Sequence, residues 1–446
     1  MQVMSMCKAV NFTPSGKPVN ASPSSNRRLR YLMLDTAAKL MNSHRIATCS
    51  KHVPKYGVAS EVNGIVLSKN AFGRAYYSGV NICSNVWGCP ICAEKIGSKR
   101  AEEVSFAINK HVEQGGWGLF LTLTFSHKKQ DDLLDILNSQ AKANTNMRAS
   151  RKFKALMKEI GLVGSIKALE TTHGANGWHP HTHEVMLVES KLSEDQIDEI
   201  KSTIYDLWSY YCEKNGLGKP NRQGVDVQIP KNMESMARYV SKWGYELTHL
   251  NIKAGKNGSR TPFQILADLS KKFSPRDSFL YKEFVKCFKG RRQLRWSKGL
   301  KALFDLEELT DIQLNEAPER EIITVIPKQD WYNVLAADKR AELLEKAETG
   351  GAPAVKEFLE RIEQVLTHTR KKAATQKHFL RRKIELETDL FFDNGYESVS
   401  SDHPAIVNLN ASYQRDMYDI SKEEKEIINL LNHKKQNIKN IRQLLN

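Results

Sequence analysis

The sequence contains no run of about 18 apolar residues, so it offers no segment that could cross a membrane as a helix. A mean hydropathy of -0.50 agrees with that. Glycine (25) and proline (14) are too scarce for a collagenous or low-complexity chain. No G-x-x-x-x-G-K-S/T stretch occurs, which removes any sign of an ATP-driven motor. The opening residues, MQVMSMCKAVNFTPSGKPVNASPSSNRR, lack the apolar core of roughly 7 to 15 residues that export requires, and a cytoplasmic protein is expected. Acid is in short supply as well. Against 67 Lys and Arg stand only 51 Asp and Glu, a formal charge of +16. A surplus of that size calls for a polyanionic partner, and with the membrane set aside that partner is nucleic acid. Seven cysteines is an odd count for a disulfide framework and favours reduced thiols or metal ligands.

What is present is unevenly distributed over the 446 residues. Residues 1–26 are rich in Ser, Asn and Pro without periodicity and read as a flexible tail. Residues 27–115 hold a cysteine cluster, 116–304 the candidate site, and 305–446 Glu/Lys/Leu-rich amphipathic helical text. Within 251–300 lie 13 Lys/Arg and 3 Asp/Glu, so this short segment carries +10 of the charge surplus. There Lys271, Lys272, Arg276, Arg291, Arg292 and Arg295 alternate with Phe273, Phe279, Tyr281, Phe284, Phe288 and Trp296. Such a mixture suits a surface that tracks phosphates and stacks bases; the competing reading is an amphipathic helix with its aromatics in the core.

Cys83, Cys89 and Cys92 lie in NICSNVWGCPICAEK, with Cys49 upstream in IATCSKH. Four thiolates make a closed tetrahedral Zn2+ site, and a C-P-x-C turn presents two of them from one loop. His52 competes with Cys49 for the fourth position, and free thiols or a Cys89–Cys92 redox pair are the alternatives.

The stretch SIKALETTHGANGWHPHTHEVMLV (165–188) reads as a β-hairpin turning at Asn176-Gly177. His179, His181 and His183 alternate on its second strand, which puts three imidazoles on one face. Glu170, across the turn, is placed to add a carboxylate oxygen. Histidine with carboxylate and open positions suits Mg2+ or Mn2+ acting on a phosphate. Before the hairpin, GLFLTLTF (118–125) reads as a buried strand. After it, QIPKNMESMARYVSKWGYELT (228–248) reads as a helix with Tyr239, Lys242 and Glu246 on its polar side. Tyr239 beside a lysine is the candidate nucleophile; Tyr245 falls on the other flank with Glu234 and Arg238.

Taken together these motifs resemble the HUH endonucleases, and within them the rolling-circle replication initiators of small bacterial plasmids. FLTLTF at 120–125, HPHTH at 179–183 and ARYVSK at 237–242 are similar to the first, metal and tyrosine motifs of that family, in that order. The CPIC cluster, GSRTPFQIL (258–266) and RRQLRWSKGL (291–300) resemble its zinc-containing branch. The resemblance covers roughly residues 45–300. It implies that His181, His183 and Glu170 bind the catalytic ion, with His179 an extra histidine, that Tyr239 is the nucleophile and that Lys242 assists it. It also implies bacterial origin DNA, single- and double-stranded, as substrate, with a host helicase and DNA polymerase as partners. The second tyrosine of two-tyrosine members is replaced by Trp243, which leaves Glu234, Glu246 or a second protomer for the second cleavage.

The expected fold is therefore α+β, an HUH-endonuclease-like central antiparallel sheet with flanking helices, a zinc-bound N-terminal element and a helical C-terminal region open to homodimerisation or duplex binding. An HUH transposase, or a zinc-stabilised DNA-binding regulator that cuts nothing, fits the same motifs.

Overall fold

The structure, a computed structural model, describes residues 23–54, 63–69, 73–230, 232, 258–316, 321–393 and 400–421. They fall into two compact units, one drawn from residues up to 72 with 76–322, the other from 73–75 with 323 onward. The architecture is α+β. The first helix opens at Pro23, inside the segment expected to be a tail, and runs as Pro23–Leu40. Two short strands, β1 (Gly64–Lys69) and β2 (Ala75–Ser78), precede the main sheet.

That sheet is built from β3 (Trp117–Leu123), β4 (Leu162–Gly174), β5 (Gly177–Val188), β6 (Val225–Gln228) and β7 (Leu294–Trp296). Their order is β6-β3-β5-β4-β7, and every neighbouring pair is antiparallel. The apolar run WGLFLTL makes β3 a strand buried at nearly all positions, as a strand covered on both faces is. β5 is the middle strand, and its burial alternates through the histidines: Pro180 and Thr182 are buried while His179, His181 and His183 are half-buried. One face of the sheet's middle is thus covered and the other is partly open.

The β4–β5 turn consists of Ala175 and Asn176 and is closed by Gly177 at φ +82°, a conformation that glycine takes without the clash a Cβ would bring. The turn fixes the register, with Glu170 opposite His181, Ala168 opposite His183 and Thr172 opposite His179. On the other edge of β5, Thr122 stands opposite His183.

The covered face is roofed by the Leu133–Ala149 helix, which Asp132 caps by accepting from the amides of Leu134 and Asp135. Its Arg148 reaches the sheet and donates to Glu184, which is only 2% exposed. The Glu194–Lys214 helix packs against this roof, opened by a capping box of Ser193 and Gln196. Its Trp208 is fully buried and donates from Nε1 to the Thr124 carbonyl at 2.5 Å.

In the second unit, the Lys328–Ala336 helix buries Trp331 and packs against a long helical stretch, Arg340–Asp393. The stretch is broken at Gly351 (φ 60°, ψ -153°), with Pro353 just beyond. Phe379 stacks on Tyr413 of the helix over 404–421 at 4.1 Å between ring centroids. Of the amphipathic text expected over 421–445, all but Ser421 lies outside the described residues.

Glu184 has one carboxylate oxygen on Arg148 and the other buried without a hydrogen-bond partner, so Arg148 is its direct counter-ion, with Lys167 opposite it in the strand register a weaker influence. Replacing Arg148 by Met should therefore cost about 2–3 kcal/mol in urea unfolding at neutral pH, and adding Glu184→Gln should restore a large part of it.

Candidate metal centres and the histidine face

The cysteine centre is assembled from three local signals. Cys49 follows the 3-10 turn Arg45–Thr48. Cys83 precedes a tight turn in which Ser84 takes a positive φ of 48° and the Asn85 side chain accepts from the amides of Trp87 (3.0 Å) and Gly88 (2.8 Å). Cys89 is the N-cap of the Pro90–Glu113 helix, with Pro90 at its first position and Cys92 in its first turn. All four thiols are buried and gather at one point. Cys49 lies 3.6 Å from Cys92 and from Cys89, and Cys83 lies 3.7 Å from Cys92. Sulfurs about 2.3 Å from a tetrahedral ion stand about 3.8 Å apart, so the group fits one. Hydrogen bonding to Cys49 pushes the Cys83 thiol up, and burial pushes the Cys89 thiol up. A cation at the centre is what would let these thiols ionise. His52 is exposed and stands outside the group; Cys49 takes the fourth place.

The cysteine turn also explains the aromatics of the basic segment. Tyr281 donates its hydroxyl proton to the Gly88 carbonyl, and Trp87 packs on Phe288 (4.5 Å between centroids) and edge-on to Phe284 (6.0 Å). Tyr281, Phe284 and Phe288 are fully buried on the Pro275–Cys287 helix and at its end. They belong to the core beneath the cysteines instead of to a base-stacking surface, because one helix can bury an aromatic stripe while its other face carries lysines. Only Phe273 and Phe279 of the buried-or-stacking series are well exposed, beside exposed Lys271, Lys272 and Arg276. Arg291, Arg292 and Arg295 are placed elsewhere: they line a cavity together with Lys167, on the face of the sheet away from the histidines.

On the histidine face, the Glu170 carboxylate lies 2.9 Å from His183 Nε2 and 3.2 Å from His181 Nε2. Two ligands about 2.1 Å from an octahedral ion and at right angles to each other are about 3.0 Å apart, which these separations match. The tautomers point the same way. His181 Nδ1 sits 3.1 Å from the His179 carbonyl, which can only accept, so Nδ1 carries a proton. Its Nε2 then faces a carboxylate that also can only accept, and the contact is favourable only with a cation or a second proton between them. His183 Nδ1 is held by the Thr122 hydroxyl at 3.1 Å, an orienting contact of the kind metal-bound imidazoles use. Burial would raise the Glu170 carboxyl, but hydrogen bonds and charge attraction from His181, then His183, hold it well below the usual carboxylate range.

His179 does not join this group. Its Nδ1 lies 2.8 Å from His127 Nε2, and burial, with His181 and His127 nearby, brings its pKa down to about 4. His127 was invisible in the sequence: it follows the β3 motif by a few residues and has no periodic partner, and only the return of β5 brings it to His179. Tyr239, Lys242, Glu234 and Glu246, with the competing Tyr245, lie outside the described residues.

Fold and site thus define an α+β protein with two groups of side chains that could hold a metal ion, one of four buried cysteines and one on the central hairpin of a sheet. The replication protein family matches residues 76–330, more than half of the sequence, and the chain belongs to that family. A protein named "Protein rep" from Streptomyces lividans is 27% identical over 311 residues, 55% of this chain and 68% of its own length. A "Neomycin resistance protein" from Streptomyces cyanogenus is 27% identical over 161 residues, 30% of this chain and 37% of its own length. No solved structure matches. Among the described residues, no helix is long and apolar enough to cross a membrane.

Replacing Cys89 and Cys92 together by Ser should remove about one tightly held metal ion per chain, measured by elemental analysis after mild chelation, and lower the melting temperature by roughly 10 °C or more.

Proposed function

We propose that the chain is a plasmid rolling-circle replication initiator, a metal-dependent endonuclease and strand transferase that nicks single-stranded origin DNA. The observation that carries this reading is the meeting of Glu170 with His181 and His183 on the middle strand of a five-stranded antiparallel sheet, in a member of a replication protein family. The two imidazoles are half-buried on the face of the sheet opposite the Leu133–Ala149 helix, where an HUH-like site would present its ion. Mg2+ or Mn2+ held by Glu170, His181 and His183 would supply a Lewis acid that polarises the scissile phosphate. The cysteine group is assigned Zn2+, which four thiolates and a closed shell favour.

In this reading the Tyr239 oxygen attacks phosphorus, a tyrosine–phosphate bond forms to the 5′ side, and the bond to the 3′ oxygen breaks. The freed 3′-OH takes up a proton and becomes the primer a host polymerase extends. Lys242 lowers the cost of the tyrosinate. Thr122 and the His179 carbonyl hold the two imidazoles in orientation. The phosphotyrosine conserves the energy of the phosphodiester, so rejoining needs no nucleotide triphosphate, and unwinding falls to a host helicase. Lys271, Lys272 and Arg276 with exposed Phe273 and Phe279 are the candidates for guiding the strand.

Incubation with Mn2+ and single-stranded oligonucleotides tiling the origin should yield an SDS-resistant adduct. The adduct should vanish in Tyr239→Phe, persist in Tyr245→Phe and fall by on the order of a hundredfold in Glu170→Gln or His183→Ala. The absence of any adduct across the tiling would refute the nicking reading.

A further inference from the structure

The face of the sheet turned away from the histidines carries a second polar centre that the nicking chemistry does not use. Lys167 and Glu170 are three residues apart on β4, and odd spacing on a strand puts their side chains on opposite faces. Around Lys167 lies a cavity of about 110 Å³, walled by Gln140 and Asn144 of the Leu133–Ala149 helix and by Arg291, Arg292 and Arg295. That space has room for a few waters or one tetrahedral oxyanion. Its lining includes four cationic side chains and no carboxylate.

Two buried donors in this wall have no partner. The Asn144 oxygen accepts from Lys167 Nζ at 2.8 Å and from Arg148 Nε at 2.9 Å, which fixes the amide and turns its Nδ2 away from both cations. That Nδ2 is unpaired, and so is Nε2 of Gln140 one helical turn earlier. The two residues are 4% and 3% exposed, and both line the cavity. Buried donors left unpaired are costly, and donors ringed by positive charge call for an acceptor that is itself negative. Arg295, exposed at the rim, stands directly opposite Lys167 across the β4–β7 pair. Glu184, the acid nearest in the strand register, is already held by Arg148. Burial, then Arg148, bring the Lys167 pKa down to about 8, with Glu184 acting the other way.

We infer that this cavity is a phosphate-binding site, separate from the metal face, in which Gln140, Asn144 and Lys167 hold the oxyanion and Arg295 with Arg292 gates its entry. The phosphate is either a backbone phosphate of bound DNA or a free anion, and the two sources separate experimentally. The site needs neither Tyr239 nor a divalent ion, so its test is run without added Mg2+ or Mn2+ and stands apart from the outcome of the nicking assay.

The full-length protein is titrated with inorganic phosphate by calorimetry, and with a single-stranded oligonucleotide by anisotropy over a range of salt. Wild type should bind phosphate, and Gln140→Leu and Arg295→Gln should each weaken it by about tenfold. If the ligand is a strand phosphate, Arg295→Gln also weakens DNA binding and makes its salt slope shallower by about 0.7. If DNA binding is unchanged while phosphate binding is lost, the ligand is a free anion. No phosphate binding by wild type, together with unchanged DNA affinity and slope in both variants, overturns the site. Because Arg295 is exposed, its variant keeps the test valid even if Gln140→Leu fails to fold, which thermal unfolding would reveal.

Discussion

Glu170 meets His181 and His183 only because the β4–β5 hairpin closes in one register, and both faces of the sheet's middle take their side chains from that register. A slip of a single residue would turn all three histidines toward the Leu133–Ala149 helix and bring Thr182 and Glu184 to the open side. Several contacts oppose such a slip. Thr122 stands opposite His183 on the neighbouring strand, Arg148 holds Glu184 on the covered face, and Gly177 accepts the positive φ that ends the turn. Each lies on a different element, so the ligand geometry is enforced from three directions.

The same strand alternation gives the sheet two chemical faces. One gathers a carboxylate with imidazoles, a set that prefers a cation. The other gathers lysine, arginines and amide donors, a set that prefers an anion. The two sets lie back to back on the strands of one sheet. The histidine side is supplied by one hairpin, whereas the basic side needs β4, β7 and a helix about 150 residues earlier in the sequence than Arg295.

That difference accounts for what the sequence could and could not disclose. The hairpin, the pairing of Glu170 with the HPHTH strand and the trio Cys83, Cys89 and Cys92 are local patterns, readable from alternation, turn residues and spacing. The choice of Cys49 over His52 was open in the sequence, because loop geometry decides it. Phe284 and Phe288 were open to a surface reading because periodicity cannot say which side of a basic helix is buried; the cysteine turn, nearly 200 residues earlier, decides that. His127, Gln140, Asn144 and Lys167 carry no motif at all. Their significance comes from long-range strand and helix placement, which a single sequence does not encode in any short pattern.

Trp87 connects these regions. Its ring lies on Phe288 within the cysteine turn, while its Nε1 donates to the Arg291 carbonyl at 2.9 Å, at the edge of the basic cavity. The hairpin that carries Glu170 and the histidines is tied to the same aromatic cluster, because its Trp178 stacks on Phe284 at 5.9 Å between centroids and donates from Nε1 to Glu283 at 2.8 Å. Damage to the cysteines, by chelation or oxidation, would therefore be felt on both faces of the sheet, at the arginines through Trp87 and at the histidine hairpin through Phe284 and Trp178.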